Sequence, residues 1–416
     1  MSNSSLYAFA VLFLVGSVCV FGQGRVPASG GGLETGLVWD VDNLKSQPVR
    51  TWPDTDWQVD GVKSLYYCGL DYKGRPTRVF AYLGVPKGAS VEKPVPGVVC
   101  VHGGGGTAFA EWVKIWNQRG YAAISMDVEG QVPDKQDDRH RRPQHNWHGP
   151  RRAGIFDDIR ENIEDQWMFH AVADVILANT LLGSMPEVDG ERVGLTGISW
   201  GGVISSIVVG VDDRFAFAAI VYGCGYLFEA QNHYTTAYEG MGQQLAPKCR
   251  NLWDGSSYLV NADMPILWLN GVNDNHFPPP IFNKCYLDTK DSAVMSMQLD
   301  LKHSHQHGWA PEEIYAFADS IAKNGKPLPR VIETGKNGEV WVRFSGENPP
   351  VKAELIYTCD EENSWPQKQW ISKECRMSKN KASIKLPDGV VSYYFNLTDR
   401  DGHIVSSEIK FQMDRN

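Results

Sequence analysis

Between Arg78 and Leu301, short apolar runs alternate with longer stretches in which apolar positions recur at helical spacing. Residues 78–86 read as an edge strand and residues 94–102 as a buried strand that stops at glycines. Residues 108–118 follow as a helix closed by Gly120, and residues 121–127 as the next strand. A long helix is predicted from about Ile163 to Leu182. After it come a strand from Val193 and further strands over 216–222, 265–270 and 294–301. Apolar strands separated by helices predict an α/β fold: a doubly wound, mostly parallel sheet covered on both faces. After Pro327 the period drops to two. Segments 339–344, 351–358, 382–386 and 391–397 alternate apolar with polar between turn residues, which predicts a small immunoglobulin-like β-sandwich. At the other end, residues 6–21 form an uncharged apolar run ending in small residues. The run lacks the length and the basic flank of a membrane anchor and reads as a secretory signal peptide cleaved near Gly22. The expected layout is a signal peptide over 1–22, an N-terminal extension over 23–70, the α/β domain over 71–326 and the sandwich over 327–416.

The strand from Val193 breaks at Gly197 and delivers Ser199 between Gly197 and Gly201. A serine hydroxyl held clear of a sheet on a sharp strand-to-helix turn needs near side-chain-free residues two before and two after it, and this G-x-S-x-G supplies them. The apolar segment that follows would point helix N-terminal N–H groups at a charge developing beside Ser199. Such a motif is weak by itself. Its weight comes from three further stretches at the ends of predicted strands. His102–Gly106 offers consecutive glycine N–H groups to an oxyanion; Gly104 or Gly105, together with Trp200, are the expected donors, and His102 the brace of the loop. Asp274, in the Asn/Asp-rich loop after residue 270, is the carboxylate expected to orient a histidine. Past the last strand stand His303, His305 and His307. His303, nearest the strand end, is the first choice for general base and His305 the alternative. Alternate histidines on an extended segment do not converge on one ion unless the chain turns, so no metal and no cofactor is expected.

With Ser199, Asp274 and His303 in that chain order and the His102–Gly106 loop before them, the sequence resembles the α/β-hydrolases over roughly residues 79–322. Within that superfamily it is most similar to the branch of the dienelactone hydrolases and acetyl xylan esterases; the segment 311–319 after the histidines is also familiar there. It departs from dienelactone hydrolases, which use a cysteine nucleophile, and from glucuronoyl esterases, which place a basic residue after the serine where this chain has Trp200. The resemblance implies a serine carboxylic-ester hydrolase acting on acetyl groups of a carbohydrate. Two other readings use the same features: a serine peptidase of the prolyl oligopeptidase type, and a non-enzymatic glycan-binding or adhesion protein on a hydrolase scaffold.

Two insertions bear on the substrate. Residues 134–152 combine arginines, histidines and an indole after the strand ending near Asp127. Trp147, His148 and Arg151 are candidates to stack a sugar and pair with its acidic groups, against the simpler reading of a solvated loop whose arginines pair with nearby aspartates. Residues 226–259 carry several aromatics and read as a small cap. A formal net charge of −9 argues against nucleic acid as partner. Once the signal is removed, no membrane association is expected, which leaves a small-molecule or polysaccharide ester as the partner; the sequence carries no sign of oligomeric state. Eight cysteines, one within the signal, leave an odd number in an oxidising compartment. Cys100 is the candidate free thiol and Cys359–Cys375 the most plausible pair. Asn396-Leu-Thr398 is a glycosylation sequon where the host has the machinery.

Overall fold

A computed structural model describes residues 37–134 and 142–412. The proposed signal segment lies outside them, and among the described residues no helix is long and apolar enough to cross a membrane. The strands are β1 (Thr51–Pro53), β2 (Lys63–Cys68), β3 (Arg78–Gly84), β4 (Val95–Val101), β5 (Ala122–Met126), β6 (Val188–Ile198), β7 (Phe217–Val221), β8 (Ile266–Gly271) and β9 (Ala293–Gln298). The C-terminal part adds β10 (Arg330–Asn337), β11 (Glu339–Ser345), β12 (Lys352–Thr358), β13 (Ile371–Glu374), β14 (Arg376–Ser378), β15 (Lys381–Ile384), β16 (Ser392–Thr398), β17 (Ile404–Ser406) and β18 (Lys410–Phe411). The helices are α1 (Val41–Ser46), α2 (Ala110–Gln118), α3 (Trp167–Gly183), α4 (Trp200–Val208), α5 (His233–Trp253), α6 (Pro279–Asp288), α7 (His305–Gly308) and α8 (Glu312–Ala322).

In space the first nine strands run β1-β2-β3-β5-β4-β6-β7-β8-β9, parallel from β5 through β9 and antiparallel among β1, β2, β3 and β5. The central strands are buried along their whole length because helices cover both faces. Side chains of α3, α4 and α6 enclose one core and those of α2 and α8 the other. The helix α3 is apolar on nearly every side and nearly all its residues are buried, as a helix wedged between sheet and further helices must be. The segment 78–86 is not an edge: β1 and β2 lie outside it. The short β2, Lys63-Ser-Leu-Tyr-Tyr-Cys68, lies between polar turns and carries neither a long apolar run nor an alternation.

Beyond β9 the sheet does not end. The strand β17 pairs antiparallel with β9 through Ser406 and Met295, and β16, β12 and β13 continue outward. The N–H of Met297 donates to Ser406 Oγ (2.8 Å) and its carbonyl accepts from Asn396 Nδ2 (3.2 Å), so side chains of the C-terminal part satisfy the open edge of β9. A second sheet, β10-β11-β15-β14, faces the first across a core that includes Val340, Val342, Phe344, Leu355, Phe395 and Leu397. Asn396 is thereby buried, out of reach of a glycosylating enzyme.

The antiparallel register also separates Cys359 from Cys375. Glu354 opposes Glu374 and the Cys375 N–H donates to Ala353 O, whereas Cys359 follows the far end of β12. Six residues of strand, on the order of 20 Å, lie between the two positions, far beyond the roughly 7 Å that a disulfide spans. Both are free thiols, as are Cys100, Cys224, Cys249 and Cys285.

Candidate active site

Ser199 follows β6 with φ 58° and ψ −119°, a conformation that a non-glycine residue adopts only when its surroundings impose it. The constraint is the crossing of α4 over the strand ends. A Cβ on Gly201 would stand 2.1 Å from Val101 O, and one on Gly197 would stand 2.2 Å from Gly201 O. Only glycines at these positions let the helix start so close to β4 and β6. The first helical N–H groups of α4, led by that of Trp200, have no intrahelical acceptor and open beside the serine.

The loop after β9 carries His303 to this turn. Its Nε2 lies 2.9 Å from Ser199 Oγ and its Nδ1 lies 2.6 Å from Asp274 Oδ2. Asp274, on the loop after β8, is 1% exposed, and its Oδ1 accepts the N–H groups of His276 and Phe277, both at 2.8 Å. With one oxygen so occupied, the other faces the imidazole, and the natural arrangement is Nδ1–H donating to Asp274 with Nε2 accepting from the serine hydroxyl. Tyr222 packs against the imidazole at 4.4 Å between ring centroids and donates its hydroxyl to Ser304 O, which sets the ring plane. On the other side His276 packs at 4.8 Å; burial and the proximity of His303 hold its pKa below the ordinary value, favouring the neutral ring.

The three chosen residues are thus brought together. His305 is turned elsewhere: its Nε2 accepts the N–H of Gly103 at 3.0 Å and its ring packs on Phe109 at 4.8 Å. It braces the glycine loop. His102 does the same from below, with Nε2 accepting from the Val128 N–H at 3.1 Å and Nδ1 donating to Gly103 O at 2.8 Å. Because the Gly103 N–H is engaged by His305, the loop donors next in line are Gly104 and Gly105. Gly104 lies against the Trp200 indole, where an added Cβ would stand 2.9 Å from Cδ1.

The residues picked from the 134–152 insertion are not brought to Ser199. Trp147, 45% exposed, stacks on the Arg78 guanidinium at 4.3 Å, with Trp52 on the other face of Arg78 at 4.0 Å. His148 Nδ1 bonds Gly149 O at 2.8 Å, and Arg151 Nη2 donates to Arg142 O at 2.8 Å. Among the described residues of this insertion, Arg142 donates to Gly105 O and Arg152 places its guanidinium over the Trp200 indole at 4.9 Å. Nothing in the run of arginines distinguishes Arg152 from Arg151; only the path of the loop does. In the 226–259 insertion, Tyr234 packs on Trp200 at 5.6 Å and on Phe277 at 5.5 Å, walling the site. Asn273, one residue before Asp274, is a further support missed from sequence. Its Nδ2 reaches the carbonyls of Pro366 at 3.1 Å and Lys368 at 2.9 Å in the C-terminal part.

The family model of the acetyl xylan esterases (AXE1) matches residues 39–238. Over 211 residues the chain is 23% identical to an acetyl esterase of Xylanibacter ruminicola; the matched region spans 48% of this chain and only 47% of that protein. In fold it is similar to an acetyl xylan esterase of a Thermoanaerobacterium species (TM-score 0.55, 18% identity, 68% of this chain and 90% of that one). A second similar structure is an acetyl xylan esterase of a Paenibacillus species (TM-score 0.52, 19% identity, 68% and 93%).

Proposed function

We propose that this chain, whose residues 39–238 match the family model of the acetyl xylan esterases, is a serine esterase that removes acetyl groups from a carbohydrate through Ser199, His303 and Asp274. The observation that carries this reading is the single imidazole bridging Ser199 Oγ and a buried carboxylate, beside a serine held at positive φ. Ser199 Oγ attacks the ester carbonyl carbon as its proton passes to His303 Nε2, and Asp274 stabilises the imidazolium without taking the proton. The carbonyl oxygen, now negative, lies toward the N–H of Trp200 and that of Gly104 or Gly105. The bond to the sugar oxygen then breaks, that oxygen takes the proton from Nε2, and the alcohol leaves an acetyl-enzyme. Water then attacks the acetyl carbon as it gives a proton to the same imidazole; the bond to Ser199 Oγ breaks, Oγ takes the proton back from Nε2, and acetate leaves.

A plant or algal polysaccharide is the proposed bearer of the acetyl groups, reached after secretion and removal of residues 1–22. The C-terminal part, proposed as immunoglobulin-like, supports the two loops that carry Asp274 and His303 through Asn273 and the edge of β9. The test is hydrolysis of p-nitrophenyl acetate and release of acetate from acetylated xylan by the purified chain and by Ser199→Ala and His303→Ala. Loss of activity by about 10³-fold or more in both variants is expected; undiminished turnover in Ser199→Ala would end the proposal.

A further inference from the structure

Resting on that esterase reading, we infer that Arg152 is a recognition residue for a carboxylate on the substrate, so that the preferred substrates are acetyl esters of acidic sugars. The guanidinium is fixed on three sides. Its Nη1 donates to Gly154 O at 2.8 Å, its Nε stands 3.5 Å from Glu129 Oε1, and its plane lies over the Trp200 indole at 4.9 Å and near that of Trp167 at 6.0 Å. Its Nη2 makes no hydrogen bond among the described residues, yet it points to the glycine loop: a Cβ on Gly104 would stand 3.1 Å from it. The neighbouring Gly103 touches the nucleophile, for a Cβ there would stand 2.9 Å from Ser199 Cβ. A cationic donor with unused N–H groups therefore sits one loop residue from the reacting centre, with its side chain 22% exposed.

The counter-charge does not cancel it. Glu129 faces only the Nε of the guanidinium at 3.5 Å, its other oxygen accepts from Gln131 Nε2 at 3.0 Å, and Nη2 is left facing the glycine loop. The Trp200 indole, with that of Trp167 5.5 Å beyond it on the same side, covers one side of the guanidinium without supplying a hydrogen-bond acceptor. An acceptor arriving with substrate is then favoured over water, and a carboxylate most of all, since a charge-assisted hydrogen bond is about twice as strong as a neutral one. Arg142 is buried and donates to Gly105 O, and Arg151 spends on Arg142 O the Nη2 that Arg152 keeps toward the glycine loop.

The experiment compares an O-acetylated methyl glucuronoside with the matching O-acetylated methyl glucoside for wild-type enzyme, Arg152→Gln, Arg152→Lys and the surface control Arg160→Gln. The expected wild-type preference for the uronate in kcat/KM is about tenfold or more, the range of one hydrogen bond to a charged group. It should reside in KM, collapse toward unity in Arg152→Gln, survive in part in Arg152→Lys and survive whole in Arg160→Gln. Equal kcat/KM of wild-type enzyme on the two sugars overturns the inference. So does an equal loss on both sugars in Arg152→Gln, which would make the residue a brace for Trp200. Quenching of tryptophan fluorescence by free glucuronate in Ser199→Ala separates this failure from that of the esterase reading. If wild type hydrolyses no ester while glucuronate still binds and the added Arg152→Gln abolishes it, the anion site stands without the esterase; if glucuronate does not bind, the site falls.

Discussion

Replacing Asp274 by asparagine is the sharpest probe of the bridging imidazole. In the native loop Asp274 Oδ1 accepts two backbone N–H groups at 2.8 Å each, and Oδ2 faces His303 Nδ1 at 2.6 Å. An amide in the same place has one oxygen and one NH₂. Placing NH₂ toward the two backbone donors would orphan two buried N–H groups, at about 1–3 kcal/mol each. The oxygen therefore stays with the loop and NH₂ turns to His303. Nδ1 must then accept, the proton moves to Nε2, and the ring can no longer take a proton from Ser199. The expected loss in kcat on p-nitrophenyl acetate is about 10³–10⁴-fold, or roughly 4–5.5 kcal/mol of barrier. KM should change little because the substrate does not touch the carboxylate. Stability, measured by urea unfolding, should fall by no more than about 1 kcal/mol, since both loop hydrogen bonds persist. A folded Asp274→Asn enzyme within tenfold of wild-type kcat would refute the tautomer argument and with it the role given to His303.

Three further outcomes are expected. His305→Ala, which leaves the Gly103 N–H without its acceptor, should lower kcat about tenfold and stability by about 1–2 kcal/mol; a loss as large as that of His303→Ala in parallel kinetics would mean the base has been misassigned. Asn273→Ala removes the hydrogen bonds to Pro366 and Lys368 carbonyls and should cost about 1–3 kcal/mol in urea unfolding with a several-fold drop in kcat; unchanged kcat and stability would show that the C-terminal part does not hold the Asp274 loop. His170 is buried, and burial lowers its pKa from 6.5 to about 4. Below pH 6.5 the unfolded chain takes up a proton that the folded chain refuses, so stability falls as pH drops from about 6.5 to about 4, by about 2–3 kcal/mol from this group. His170→Gln should lose correspondingly less between pH 7 and pH 4.5 in urea unfolding; identical slopes would show that His170 takes up its proton in the folded chain.

Local chemistry was legible in the order of residues wherever the backbone itself was the constraint. Gly197 and Gly201 announce the turn at Ser199 because no other residue fits where α4 crosses the ends of β4 and β6. The parallel strands announce themselves because burial on two faces leaves no polar position to interrupt them. Since those strands run the same way, the loops after β4, β6, β8 and β9 had to meet on one rim, and His102, Ser199, Asp274 and His303 could be read as one group from chain order. Side-chain direction and register were not legible, for they depend on partners far away in sequence. His305 turns to Gly103, Trp147 stacks on Arg78, and Arg152 crosses to Trp200 because of how loops fold over one another. Cys359 and Cys375 look adjacent along the chain, yet the antiparallel pairing of β12 and β13 carries them to opposite ends of a strand. The continuation of the sheet from β9 into β17 rests on hydrogen bonds between residues more than a hundred apart, Met297 with Ser406 among them. No local pattern encodes such a pairing; only the folded chain brings the two edges together.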